Sequence, residues 1–313
     1  MSTPKKTITI GTRGSQLALW QAEWVRNELH KNFPQLTVRL DIIKTTGDKI
    51  LDSPLSKIGD KGLFTKEIEA ALLAKRIDLA VHSLKDLPTN LPAGLIIGAV
   101  TKREDVHDVF IAHPQKNYKQ FDDIPTGGEI ATGSLRRKCQ LLHWRPDIKI
   151  IDLRGNLNTR FDKLKASDWD GMILARAGVV RLGFEKRITE ILPIEKILPA
   201  VGQGALGIEV RENDNGLLKY LQPLISQAAT YATLCERAFL HTLEGGCQIP
   251  IGSYARIEKN ELVMDGVIGS LDGKKIVRGK VTGNPEQAGL LGKQLAHTLL
   301  ESGGKEILDE IRI

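Results

Sequence analysis

Thr7-Ile-Thr-Ile-Gly-Thr-Arg-Gly-Ser15 is the stretch whose reading decides the fold. Thr7–Gly11 reads as a β-strand. The loop Thr12-Arg-Gly-Ser15 follows, and then Ala18, Ala22, Val25 and Leu29 recur at the spacing of one buried helix face. A strand running into a helix through such a loop leaves backbone N–H groups free at the helix start, where an anion can bind. Arg13 and Ser15 stand at that join. Ser15 is either a helix cap or a ligand contact, and Arg13 either a solvated charge or an anion receptor.

The same join recurs along the chain. Gly127-Gly128 begins a strand leading to Thr132-Gly-Ser-Leu-Arg-Arg137, and Ile148–Leu153 leads into Arg154-Gly-Asn156. Asn156 is an expected cap, with Leu157, Phe161 and Leu164 facing the core and Arg160 on another side. Gly171–Ala175 is a buried strand with Arg181 near the end of the next helix. In the first block, Leu36–Lys44 is a further strand and Phe64, Ile68, Ala71 and Leu72 mark a helix. The buried strand Asp78–His82 then enters Ser83-Leu-Lys-Asp-Leu-Pro88. Strands alternating with helices in two successive blocks predict an α/β architecture of two lobes. Thr101–His107 is charged and polar, a crossover into the second block.

Gly202-Gln-Gly-Ala-Leu-Gly207 matches G-x-G-x-x-G, the dinucleotide fingerprint. That fingerprint needs a helix opening from it, whereas Ile208-Glu-Val210 reads as strand and Pro199 lies just ahead. A crossover back to the first block is the better reading. Beyond the helix Gln227–Leu243 the pattern changes. Leu262, Met264 and Ile268 alternate, Asp272-Gly273 signals a hairpin turn, and Val277 and Val281 alternate with charges. A final helix carries Ala288, Leu291, Leu295 and Leu299. This predicts a small C-terminal α+β domain, an antiparallel sheet with helices on one face.

Totals narrow the function. The 313 residues are 41% hydrophobic and 26% charged, enough for two or three domains with real cores. No apolar run approaches a membrane span. Three widely spaced cysteines argue against a disulfide framework, and no Cys-x-x-Cys pair or close histidine pair indicates a metal site. The amino terminus lacks an apolar signal-peptide core, so a reducing, cytoplasmic setting is expected. The net charge of +6 and pI near 9.1 suit a polyanionic partner. Basic residues fall singly or in pairs with little aromatic interleaving, which favours a small acidic ligand over nucleic acid. Six arginines (Arg13, Arg136, Arg137, Arg154, Arg160 and Arg181) at comparable joins suggest a cleft that holds several carboxylates bidentately.

Two further positions bear on chemistry. In Leu243-Glu-Gly-Gly-Cys-Gln-Ile-Pro-Ile-Gly252 the glycines free the backbone and Pro250 stops a helix, which puts Cys247 on a loop. It is either a small apolar side chain under that loop or a sulfur presented for chemistry. Cys139 and Cys235 lie in helical stretches and read as structural. Pro88 pushes Leu87 out of helical geometry, which places Asp86 at the carboxyl end of a strand, where open α/β sheets bind ligands. Asp86 is either a turn aspartate beside Lys85 or an acid/base group.

Taken together in this order, these motifs resemble the porphobilinogen deaminase (hydroxymethylbilane synthase) family. The resemblance runs from about Ile8 to the carboxyl end. Thr12-Arg13-x-Ser15, Gly59-x-Lys61-Gly62-Leu63-Phe64, His82–Pro88, Ser134–Arg137, Leu153–Asn156, Val201–Ala205 and Leu243–Cys247 carry it. It implies two periplasmic-binding-protein-like (type II) α/β lobes around a cleft, 1–103 with 203–222 and 104–202, plus a C-terminal α+β domain, 223–313. It implies a transferase that adds four porphobilinogen molecules head to tail, each losing ammonia, to a dipyrromethane cofactor. Hydrolysis then releases hydroxymethylbilane, the substrate of uroporphyrinogen-III synthase. The cofactor is joined by a thioether to the position of Cys247. Asp86 is the implied catalytic group. Lys85, Ser134, Arg136, Arg137, Arg154 and Arg160 are the implied cofactor contacts. Arg13, Ser15, Arg154, Arg160, Arg181 and Gln203 are the implied substrate contacts. Lys57, Lys61 and Phe64 belong to an expected lid, and a monomer is expected. Arg176 stands where the family usually has an uncharged residue, and no role for it follows from the sequence. The rival reading is a non-enzymatic protein with the same two-lobed cleft that binds an organic anion.

Overall fold

A computed structural model describes residues 7–49, 62–243 and 249–312. Cys247, Lys57 and Lys61 lie outside them. In chain order β1 (Thr7–Thr12), α1 (Gln16–Asn32), β2 (Thr37–Ile42), α2 (Thr46–Lys49), α3 (Lys66–Leu73), β3 (Leu79–Ser83) and β4 (Leu95–Val100) come first. Then follow β5 (Asp108–Ala112), β6 (Glu129–Ala131), α4 (Leu135–Trp144), β7 (Lys149–Ile151), α5 (Leu157–Lys165), β8 (Gly171–Ala175), α6 (Arg176–Arg181) and β9 (Glu190–Ile191). The rest comprises β10 (Leu206–Arg211), α7 (Asn215–Leu221), α8 (Gln227–Thr242), β11 (Ile251–Glu258), β12 (Glu261–Gly269), β13 (Ile276–Gly283), α9 (Ala288–Leu299) and α10 (Lys305–Arg312). The chain divides into two compact units, Met1–Glu104 with Ala205–Thr230, and Asp105–Gly204 with Tyr231–Ile313.

The first unit holds one sheet in the order β2-β1-β3-β10-β4. β1 runs parallel to β2 and β3, and β10 runs antiparallel to both its neighbours. Ile8, Ile10, Leu79, Val81, Ile208 and Val210 bury one sheet face beneath Ala22, Val25 and Leu29 of α1. The second unit repeats the plan in the order β7-β6-β8-β5-β9, with β6, β7 and β8 parallel and β5 reversed. In each sheet the reversed strand is the one a crossover feeds directly, β5 after Thr101–His107 and β10 after the turn at Val201–Gly204. That turn contains Gly202 and Gly204 at φ 71° and 91°, a left-handed backbone that glycine adopts without strain. The G-x-G-x-x-G motif is thus a turn into a strand.

The second unit also carries the antiparallel meander β11-β12-β13. Its core gathers Ala232, Cys235 and Phe239 of α8, Ala255, Met264 and Ile268 of the strands, and Leu291, Leu295 and Leu299 of α9. The helix Ala288–Leu299 is not the last, contrary to the sequence reading. The chain kinks at Gly303 (φ 102°) and continues as α10, whose Ile307 and Leu308 join the same core. Ile307, Leu308 and Ile311 do form an apolar stripe, but α10 is only eight residues long, shorter than the window over which periodicity separates a helix from a loop. Phe64 likewise sits in the turn ahead of α3 rather than in the helix. Within this unit Ser253 N–H donates to Pro199 O (3.0 Å) and Arg278 Nη2 donates to Gln140 Oε1 (3.1 Å), tying the meander to the α/β layer.

Helices α8 and α9 meet most closely at Gly292, where a Cβ would lie 2.1 Å from the Cys235 carbonyl oxygen. Backbone cannot yield there as a flexible side chain would. Gly292→Ala is therefore expected to cost about 1–3 kcal/mol through forced separation of the two helices, measured as a lower urea midpoint with an unchanged m-value.

Candidate functional site

In the first unit the parallel pairing of β1 with β3 brings their carboxyl ends side by side. Both strands end in loops that carry polar side chains, as open α/β sheets do at their ligand edge. A pocket of about 410 Å³, counting its open mouth, is lined there by Arg13, Ser15, Gln21, Phe64, His82, Ser83 and Asp86.

Each wall has a local cause. Ser15 is the α1 cap, accepting from Ala18 N–H at 3.3 Å, as one sequence reading has it, and it also lines the pocket. Asp86 ends a single 3-10 turn, Leu84–Asp86, that starts as β3 stops. Leu84 is anchored by its N–H to Ala205 O (3.0 Å) and by burial among Leu87, Val100, Ala205 and Ala229. Asp86 itself is exposed, and no described residue pairs with its carboxylate. Gln21 Nε2 donates to Ser83 Oγ at 2.7 Å. Beneath, buried His82 Nε2 meets Glu209 Oε2 at 3.1 Å. Glu69 lies near this pair: burial and the charge of Glu209 push its carboxyl above the ordinary range, against the Thr65 hydroxyl and the His82 charge.

Arg13 is already engaged. Its Nη2 donates to Asp48 Oδ1 at 2.5 Å and its Nε at 3.1 Å, and the Phe64 ring centroid lies 4.1 Å from its Cζ. Burial raises the Asp48 carboxyl, but hydrogen bonds from Arg13 and Thr45 and the Arg13 charge outweigh it and hold Asp48 below the usual range.

In the second unit the arginine pair following Ser134 is held inside the fold. Ser134 caps α4, its Oγ accepting from Arg137 N–H at 3.4 Å. Arg136 and Arg137 are each 5% exposed, and both grip the fully buried Asp108, at 2.8 Å to Oδ2 and 2.8 Å to Oδ1. Arg136 Nη1 also donates to Leu198 O and Arg137 Nη1 to Ile173 O. Gln203, buried, donates to Asp108 Oδ1 at 2.9 Å and to Val106 O at 2.7 Å. The predicted residues Arg136, Arg137 and Gln203 are therefore brought together on one carboxylate. Burial alone would raise Asp108, but the two guanidinium charges reverse it and hold the carboxyl far below the ordinary range.

The other predicted residues are at the same unit's joins. Asn156 caps α5 through Thr159 N–H (3.0 Å), as expected. Arg154 precedes that cap, 3.7 Å from Asp152, and Arg160 Nε donates to Gly155 O at 2.9 Å. Arg181 Nη2 donates to Gly204 O at 2.7 Å. Arg176 pairs with Asp105 at 3.0 Å, and the other Asp105 oxygen meets His107 Nδ1 at 2.6 Å. Sequence reasoning passed over Asp48, Asp105 and Asp108. A charge opening the apolar run Asp108-Val-Phe-Ile-Ala112 was a visible signal for the last, since a buried strand rarely starts on an unpaired carboxylate. Asp48 sits in a loop composition with no such signal.

The donor set can be compared with the group that the sequence implied. The Nε atoms of Arg136, Arg137 and Arg154, and that of Arg176, are buried without a hydrogen-bond partner among the described residues. Unpartnered guanidinium donors fit a group bearing several carboxylates. No metal-holding cluster occurs among the described residues, and none of their helices is long and apolar enough to cross a membrane.

The two sheets and the meander define a mixed α/β protein of two sheet–helix lobes with a small C-terminal domain. Its residues 8–219 match the family model of the porphobilinogen deaminase, dipyromethane cofactor binding domain, and residues 230–301 that of the porphobilinogen deaminase C-terminal domain. Porphobilinogen deaminase of Chlorobium phaeobacteroides (strain BS1) is 53% identical over 98% of this chain and 99% of the relative. That of Carboxydothermus hydrogenoformans is 52% identical over 98% of each. The chain belongs to the porphobilinogen deaminase family. Among solved structures, the L-cystine solute receptor of Neisseria gonorrhoeae is similar at a TM-score of 0.41 and 15% identity, covering 75% of this chain and 92% of the receptor.

Asp108 offers the sharpest test of this geometry. Asp108→Asn leaves two buried guanidinium groups without their counter-charge and is expected to cost about 3–5 kcal/mol near pH 7, read by urea unfolding. Unfolded, the carboxyl titrates near 3.8. Its folded value is depressed, so its stabilisation is complete above that pH and is lost as pH falls toward the folded value. The Asn variant is accordingly expected to lose less stability than wild type on acidification below about pH 4.

Proposed function

We propose that this chain condenses four porphobilinogen molecules head to tail onto a covalently held dipyrromethane, with loss of ammonia at each addition, and releases hydroxymethylbilane by hydrolysis. The observation that carries the chemistry is the first unit's pocket, where the open carboxylate of Asp86 shares one wall system with Arg13. Porphobilinogen has the matching halves: a pyrrole N–H and an aminomethyl group, and two carboxylate arms. One cofactor per chain, anchored through a thioether to Cys247, would supply the pyrrole carbon to which the first unit is joined.

The residues divide the work by charge. Asp86 accepts pyrrole N–H bonds and stabilises positive charge as the aminomethyl group departs. Each addition removes one proton from a ring carbon and delivers one to the departing nitrogen, and Asp86 is the carboxylate placed to carry it. Arg13 and Ser15 receive a substrate carboxylate, with Arg181 and Gln203 assigned to further substrate contacts. Lys85, Ser134, Arg136, Arg137, Arg154 and Arg160 are assigned to the cofactor's acetate and propionate groups. The Asp108 network fixes the orientation of Arg136 and Arg137, for the cofactor, and of Gln203, for the substrate, before a ligand arrives. Lys57, Lys61 and Phe64 are assigned to a lid.

The enzyme is read as a monomeric transferase of a reducing compartment, the cytoplasm, passing its product to uroporphyrinogen-III synthase. The two described cysteines, both buried free thiols, suit that setting.

Incubation with porphobilinogen, followed by assay of ammonia and of the linear tetrapyrrole, tests the reading. Wild type is expected to release both, and Asp86→Asn to lower kcat by about 100-fold or more with the fold intact by circular dichroism. A protein that binds porphobilinogen and returns it unchanged is an anion-binding protein, and the reading fails.

A further inference from the structure

Asp48 meets Arg13 on one edge only. Its carboxylate takes Nε and Nη2, with Oδ1 at 3.1 and 2.5 Å and Oδ2 at 3.3 Å from Nε. A guanidinium carries five N–H donors in a fixed fork, and Asp48 takes only those of the side edge. No described residue is hydrogen-bonded to Nη1. The face of the same guanidinium is covered by the Phe64 ring.

The clamp is itself held. Thr45, fully buried, donates to Asp48 Oδ2 through its hydroxyl at 2.8 Å. Gly47 N–H donates to Leu63 O at 2.8 Å, and a Cβ on Gly47 would lie 2.2 Å from the Phe64 ring. Thr46 N–H donates to Glu67 Oε1 at 2.8 Å. The turn carrying Asp48 and the turn carrying Phe64 are thus stitched together, and Arg13 is fixed on one edge and one face by a single assembly.

We propose that Asp48 is the positioning residue for Arg13, presetting its guanidinium so that the open end receives a carboxylate arm of the substrate. This rests on the reading of Arg13 as a substrate contact. An unrestrained arginine loses rotamer freedom when it binds, and a preset one has lost it at folding. Because Asp48 occupies the side edge and leaves the end open, it orients Arg13 rather than competing for it. Ionised Asp48 is required, and the hydrogen bonds it accepts keep it so.

The experiment is a double-mutant cycle with porphobilinogen as the varied substrate. Wild-type turnover comes first: without it the functional reading fails, independently of Asp48. With turnover present, Asp48→Asn is expected to raise KM about tenfold, a larger effect than its effect on kcat. Lysine cannot be gripped bidentately, so in an Arg13→Lys background Asp48→Asn is expected to add less than about twofold to KM. An unchanged or lowered KM for Asp48→Asn, or an equal rise in both backgrounds, overturns the proposal. If the Asn variant is unstable, Asp48→Glu carries the same cycle. The longer carboxylate displaces Arg13 and is expected to raise KM about threefold in the wild-type background and not in the lysine one. Equal effects again overturn it.

Discussion

One carboxylate, Asp108, organises the larger unit. It stands at the first residue of β5, where the chain has just crossed over, with no exposed side-chain surface. A lone carboxylate there would be prohibitively unfavourable. Two guanidinium groups from consecutive residues of α4 and the amide of Gln203 resolve it, and they bind Leu198 and Ile173 carbonyls at the same time. The network thus joins the start of β5, the first turn of α4, the middle of β8 and the return crossover. Its ion pairs need not be strongly stabilising overall, because desolvation offsets much of the attraction. What they impose is geometry: each carboxylate oxygen of Asp108 meets one guanidinium.

The two units treat charge in different ways. In the second, the arginines that match the family motifs are largely internal, their hydrogen bonds directed at carbonyls and at Asp108, with Nε donors left over. In the first, Asp86 is open and Arg13 is half enclosed by Asp48 and Phe64. On the proposed function, Asp86 carries protons, and such a group benefits from exposure to the ligand. A group that must hold a carboxylate still benefits from being fixed beforehand. Arg176, for which the sequence offered no role, joins neither set: it pins Asp105 and His107 at the entry to β5.

The fold was legible because its signals are local. Strand–loop–helix joins at Thr12–Ser15, Thr132–Arg137 and Arg154–Asn156 each reappear, with Asn156 the cap as expected, Ser15 the cap of one reading and Ser134 a cap the sequence reading did not name, and the Asp272-Gly273 turn joins β12 to β13. Helix α10 escaped although Ile307, Leu308 and Ile311 share one face, because its eight residues are fewer than the window in which that spacing is decisive. The roles of Arg136, Arg137 and Gln203 in the fold were not legible, since the partner is Asp108, 28 or more residues away in sequence, and periodicity reports no such pairing. Asp48 was hidden for the same reason, its pair with Arg13 spanning 35 positions.

On the proposed function the chain builds and keeps its own covalent cofactor, and intact mass after denaturation tests this most directly. Wild type and Cys247→Ser are weighed after incubation with porphobilinogen and removal of excess substrate. Wild type is expected to exceed the polypeptide mass by at least two porphobilinogen units less two ammonias, and the serine variant to show the bare polypeptide. A wild type at bare mass, or a serine variant carrying the same excess, would contradict the account.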